Sequence, residues 1–128
     1  MKYAAVDIGL KRIGVALSLG GGVVVPQPAI LRKNRNQAAS ELDMLLKEWE
    51  IDRLVVGIPM GGSSEEEMRR RIAHFVSLLH FEGEILYQDE AGSSLEAKER
   101  IRGSSSQKRD GRIDSLAAQI ILERYLGV

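Results

Sequence analysis

The sequence predicts an α/β fold: a five-stranded mixed sheet with helices on both faces. Three observations carry this reading. Residues 3–8 and 54–58 are short apolar runs suited to strands buried on both faces, residues 12–18 alternate with period two, and later segments switch to a 3.6-residue period. The resulting order, β, β, β, α, β, α, β, α, α, is a three-strand meander followed by helix-connected strands, which makes the sheet mixed.

The first strand carries one misplaced charge, Asp7, in an otherwise apolar run, so its carboxylate must be paired, liganded or at the strand's end. Gly9, Leu10 and Lys11 form a turn short enough to make residues 12–18 the antiparallel neighbour, with Ile13, Val15 and Leu17 on one side and Gly14, Ala16 and Ser18 on the other. Pro26 and Pro28 interrupt the third strand and assign it to the sheet margin, where a missing N–H is tolerated. From Asn36 the apolar positions Ala38, Ala39, Leu42, Leu45, Leu46 and Trp49 follow helical spacing, and Trp49 reads as core packing rather than a stacking platform. Residues 54–58 come after that helix and read as a parallel, central strand closed by Pro59.

Ser64 and Glu67 have capping-box spacing ahead of a helix with Met68, Ile72, Phe75, Val76 and Leu79 on its apolar face. Residues 84–88 supply the fifth strand, which exits at Asp89-Glu90. Ser93 and Glu96 repeat the cap pattern for a helix ending near Gly103, and the polar, basic residues 104–111 read as a loop. The last helix, from about Arg112, has Ile113, Leu116, Ala117, Ile120 and Ile121 as a continuous apolar stripe, with Asp114 beside it in the first turn.

The 128 residues fit one domain, 1–128, with no internal repeat or linker. No apolar run reaches the ~18 residues of a spanning helix and the N-terminus lacks a signal-peptide core, so a cytoplasmic protein without a membrane role is expected. Absence of cysteine excludes disulfides and thiolate metal sites, while His74 and His80 have neither HxH nor HExxH spacing; any metal is expected to be hard and oxygen-bound. Eighteen basic residues balance eighteen acidic ones, which counts against tight nonspecific nucleic-acid binding. Local clusters remain at Lys11-Arg12, Arg32-Lys33-Arg35, residues 69–71 and Lys108-Arg109-Arg112; residues 69–71 read as a solvated helix face.

Ligands of such sheets sit at the carboxyl ends of the parallel strands. Asp7 and Asp89-Glu90 lie at predicted carboxyl ends, and Asp114 begins a helix able to cross the same edge. Spacing alone leaves Asp89 and Glu90 as competitors. Convergent carboxylates stay ionised only when a cation neutralises them, and Mg²⁺ or Mn²⁺ suits oxygen ligands. Two such ions ~3.5 to 4 Å apart can serve phosphodiester hydrolysis. The chain has no cysteine nucleophile, no convincing serine triad and no GxxxxGK[ST] phosphate loop.

These residues resemble the YqgF-type family, described as Holliday-junction-resolvase-like and as pre-16S ribosomal RNA nucleases. Residues 7–16, DIGLKRIGVA, resemble its D-x-G-x-K-R-x-G-x-A opening, and residues 55–59, VVGIP, its V-V-G-[LI]-P strand. Asp89-Glu90 stands where the family has D-E-R-x-[ST]-[ST], and residues 114–122, DSLAAQIIL, resemble its D-x-x-A-A-x-x-I-L helix. The resemblance implies a ribonuclease-H-like fold and selects Glu90 over Asp89, giving Asp7, Glu90 and Asp114 as the metal-binding catalytic set. It departs at Ala91, where the family has arginine, and in a shorter segment after Pro59.

The implied function is metal-dependent hydrolysis of phosphodiester bonds in structured nucleic acid, namely 5′-end processing of the pre-16S ribosomal RNA, with Lys11, Arg12, Lys108 and Arg109 on phosphates and ribosomal precursor particles as a partner. Two alternatives stand beside it. One is resolution of four-way DNA junctions, which requires a homodimer rather than a monomer to cut two strands symmetrically. The other is a non-catalytic nucleic-acid or ribosome-assembly binding module.

Overall fold

The computed structural model describes residues 1–61, 65–102 and 111–128. Its strands are β1 (Tyr3–Ile8), β2 (Arg12–Ser18), β3 (Val25–Leu31), β4 (Arg53–Ile58) and β5 (Glu84–Asp89), and its helices are α1 (Arg35–Glu48), α2 (Glu66–Ser77), α3 (Ser93–Arg100) and α4 (Gly111–Leu126). They form one five-stranded sheet in the order β3-β2-β1-β4-β5. β1 pairs antiparallel with β2 and parallel with β4, and β4 pairs parallel with β5, so the meander and the helix-connected strands meet at β1. The proline-bearing β3 is at the edge, as its missing donors require.

Several local signals resolve differently from the sequence reading. β3 is one continuous strand, and its pairing with β2 shifts register between Ile13 and Val15. The cap of α1 is Asn34, whose side chain accepts from the Gln37 amide while the Gln37 side chain accepts from the Asn34 amide. This box lies two residues upstream of the expected helix start. α2 has Glu65 as its N-cap with no side-chain cap bond, and Ser64 falls outside the described residues. α3 starts after Gly92 in the left-handed conformation at φ 75°, so Ser93 is inside the helix rather than its cap. Residues 103–110, including the expected helix end at Gly103 and most of the expected basic loop, lie outside the described residues.

Strand alternation divides the core. Ala4, Val6, Ile13, Val15, Leu54 and Val56 face α1 and α2, meeting Leu42, Leu46, Ile72 and Phe75. On the other face Ala5 and Val55 meet Ile121 and Leu122 of α4. The expected single stripe of α4 is two faces in space: Ile121 and Leu122 pack on the sheet, whereas Ile113, Ala117 and Ile120 pack with Ala97 of α3. α4 is therefore enclosed between sheet and helix, which explains why it is apolar around much of its circumference.

Its close approach depends on small residues. A Cβ at Gly14 would lie 1.9 Å from the Asp114 carbonyl oxygen, inside the backbone of the first turn of α4. One turn of helix thus rests directly on a strand that has no side chain there. Gly14→Ala should force α4 off the sheet and cost about 1–3 kcal/mol or more in urea unfolding. Gly61→Ala, with nothing within 4 Å of its added carbon, should leave the midpoint nearly unchanged; equal midpoints for the two variants would contradict the close contact.

Candidate active site

Asp7 occupies the penultimate position of β1, on the face that meets α4, and is 9% exposed. Its antiparallel partner is Gly14. On the other side Val6 pairs with Val56, so Gly57 follows the last paired residue of β4 as Asp7 does that of β1. The carboxylate is thus flanked by strand positions without side chains, which leaves room beside it for groups from other elements.

Glu90 fills that room on one side. It follows β5 directly; its amide donates to the Ile58 carbonyl at 3.1 Å and its carbonyl accepts from the Ser93 amide at 2.9 Å. A Cβ at Gly57 would lie 3.3 Å from Glu90 Oε2 and 2.4 Å from Ile121 Cδ1, so this glycine admits both the acid and α4. The Glu90 and Asp7 side chains are hydrogen-bonded to one another. Burial, first, and then the Asp7 charge, the shared hydrogen bond and the Asp89 and Glu65 charges push the Glu90 carboxyl up to about 8. Two acids at hydrogen-bond range thus share a proton at neutral pH, as like charges in a desolvated place must.

Arg124 steadies this acid from α4. Its guanidinium donates to the carbonyls of Asp89 at 3.4 Å and Ala91 at 2.8 Å, bracketing Glu90, and lies 3.7 Å from Glu96 Oε1. Asp89 does something different, since its Oδ1 accepts from the Ala91 amide at 3.0 Å and shapes the turn. The geometry separates the two acids that spacing left equal.

Asp114 enters from the first turn of α4 and is 4% exposed. Its Oδ2 accepts from Arg12 Nε at 2.7 Å. Next to it, the Ser115 hydroxyl accepts from the Val15 amide at 3.2 Å, at the register shift between β2 and β3. The bond satisfies a buried donor at that shift. Ser115, Arg124 and Gly57 were not singled out by the sequence. A glycine inside a strand is a readable sign of close approach, whereas neither Ser115 nor Arg124 carries a local signal.

The structure thus joins Asp7 with Glu90 and joins Asp114 with Arg12. Among the described residues no three acidic or histidine side chains are gathered around one point that could hold an ion. Asp7 and Glu90 suit a hard cation, since a carboxyl pair that must share a proton is relieved by a divalent charge. Lys11 is exposed in the β1–β2 turn, Arg12 is half-buried, and Lys108 and Arg109 lie outside the described residues.

The mixed sheet in the order β3-β2-β1-β4-β5, with acids from the ends of β1 and β5 meeting beside β4, has the RNase H-like fold. The full-length structural likenesses agree: RuvC of T. thermophilus in complex with Holliday junction substrate has a TM-score of 0.60 at 12% identity, covering 99% of this chain and 96% of that one. The fowlpox virus Holliday junction resolvase has a TM-score of 0.56 at 14% identity, with 99% of both chains covered. The chain belongs to the RuvX family, described as Holliday junction resolvase, whose profile matches residues 1–127. A relative from Sulfurovum sp. is 62% identical over 100% of both chains, and one from Sulfurimonas denitrificans is 60% identical over 98% of this chain and 97% of its own. Both bear the name "Putative pre-16S rRNA nuclease". Among the described residues no helix is long and apolar enough to cross a membrane.

The raised Glu90 carboxyl has a measurable effect. The folded chain retains a proton that the unfolded chain has released above its ordinary value of 4.5, so this group's stabilisation is full at low pH and is lost as pH rises through about 8. In EDTA, the wild-type Tm should fall between about pH 5 and about pH 8 relative to Glu90→Gln, which has no proton to lose there. Parallel Tm–pH curves for the two proteins would remove the shared-proton description.

Proposed function

We propose that this chain is a divalent-metal-dependent nuclease that hydrolyses phosphodiester bonds in structured RNA, with the 5′ end of the small-subunit ribosomal RNA precursor as its substrate. The observation that carries the reading is the Asp7–Glu90 pair, two acids from different strands whose side chains are brought to hydrogen-bond range at the sheet's end. Asp7 and Glu90 would hold Mg²⁺ or Mn²⁺, with Asp114 as the third acid of the set. Two ions suit the donor chemistry. When bound, they supply charge to activate a water for attack on phosphorus and to stabilise the departing oxygen.

This chain's own residues do the rest. The main-chain bonds of Glu90 and the Arg124 clamp hold its carboxyl against Asp7, so the acids need little rearrangement. Arg12 now covers an Asp114 oxygen at 2.7 Å. A substrate phosphate competes for that guanidinium, and its transfer to the phosphate frees Asp114 to face the other acids. Lys11, on the same turn, adds positive charge for the backbone, and Lys108 and Arg109 are proposed to contribute phosphate contacts from the segment before α4.

The relatives' names favour the ribosomal RNA precursor, presented bare or within a precursor particle. The family description favours a second reading, resolution of four-way DNA junctions, which calls for two copies of the chain because each brings one site. A binding module without catalysis is the remaining alternative.

Incubation of labelled precursor rRNA ends and of four-way DNA junctions with Mn²⁺, Mg²⁺ or EDTA separates these readings. Precursor cleavage should require the cation and fall at least about a hundredfold in Asp7→Asn and in Glu90→Gln, ~2.7 kcal/mol of transition-state stabilisation. Cleavage of junctions alone would move the assignment to DNA. Persistence in EDTA would overturn the metal mechanism, and tight binding without cleavage of either substrate would make the chain a binding module.

A further inference from the structure

Away from the acids, a cleft of about 680 Å³ opens between the β1–β2 turn, the start of α1 and the exposed side of α2. Its size lies within the ~300–1,000 Å³ of small-ligand sites. Its lining is uneven in charge: four guanidiniums, Arg32, Arg35, Arg70 and Arg71, stand against one carboxylate, Glu67. In a chain with equal numbers of acidic and basic residues this is a local concentration of positive charge.

The four arginines are not equivalent. Arg32 donates to the Gly9 carbonyl and stacks over the Phe75 ring at 5.2 Å, tying the hairpin turn to α2 and shaping the cleft. Burial, and then the Arg35 charge, lower the Arg32 pKa, so the two cations already oppose each other. Arg71 pairs with Glu67 at 2.9 Å on the helix surface, a contact that solvent makes weak and exchangeable. Arg35 and Arg70 are exposed. Between the charges, Leu10 and Met68 leave apolar surface open, Leu10 being 66% exposed.

We propose that this cleft binds an unpaired segment of a nucleic-acid strand, with successive phosphates on Arg35 and Arg70 and a base against Leu10 and Met68. The proposal rests on the nuclease reading and extends it to the path of the substrate. Phosphates at regular spacing beside flat apolar bases match guanidiniums flanking an apolar floor. A second copy of the chain is a poor occupant, because a two-fold contact through this surface sets the same guanidiniums against one another. Gly9 also lines the cleft, two residues after Asp7, on the rim between the α1/α2 side of the sheet and the α4 side that holds the acids.

The test uses binding, in EDTA and on the Asp7→Asn background, of a fluorescent single-stranded oligonucleotide. Arg35→Ala with Arg70→Ala should reduce the log K–log salt slope by about 1.4 and weaken binding about tenfold or more at low salt. Lys47→Ala with Arg53→Ala removes equal charge at the opposite end of the sheet and should change neither. Because the chain has no cysteine, Leu10→Cys and Met68→Cys can each carry a single photo-crosslinker, as can the exposed Met44→Cys outside the cleft. Crosslinks to the oligonucleotide from the first two and not the third are expected. An unchanged salt slope in the arginine pair, or equal crosslinking from all three positions, would overturn the cleft assignment while leaving the nuclease reading intact. A chain that neither binds nor cleaves any nucleic acid would overturn both.

Discussion

The seating of α4 on β2 is the contact on which the rest of the structure depends. The missing side chain at Gly14 lets the backbone at Asp114 touch the strand. From that point the helix delivers Asp114 and Ser115 at its first turn and Arg124 near its end. The same helix buries Ile121 and Leu122 on the sheet and Ile113, Ala117 and Ile120 toward α3. Core formation and placement of the polar groups are thus one packing event. A shift of the helix large enough to open the core would also move the groups on both sides of the acids.

Within that frame the acids are held against their mutual repulsion. Asp7 is carried by a central strand and Glu90 by bonds from its own amide and carbonyl, so neither can relax away cheaply. The energy of bringing them together comes from burial of apolar surface elsewhere, the usual source of strain at functional sites. Arg12 balances Asp114 by a different means, a direct ion pair at 2.7 Å. The repulsion within one acid pair is relieved by a proton held on Glu90, and the charge of the third acid by a guanidinium.

Much of this was legible in the sequence because it is local. The hairpin, the edge position of β3, the parallel centre at β4 and the helical periods follow from short-range spacing, and the structure has each of them. Asp7 stood out as a charge in an apolar run. What was not legible depends on contacts between distant residues: the two-sided burial of α4, the register shift served by Ser115, the Arg124 clamp, and the pairing of Asp114 with Arg12, 102 positions apart. Caps also misled where several polar residues competed. Asn34 rather than a later residue starts α1, and Gly92 takes the place expected of Ser93.

The order of the elements along the chain also sets when the acids can meet. Asp7 is made early, whereas Gly111–Leu126, the helix that backs the acids and clamps the Glu90 turn, follows more than a hundred residues later. At ~5–20 residues per second of synthesis this interval lasts roughly 5 to 25 seconds. Until α4 emerges, Gly14 and Gly57 are open grooves in a sheet whose α4 side is bare, and Glu90 lacks its clamp. The growing chain therefore lacks the backing of its two acids until α4 docks on the sheet.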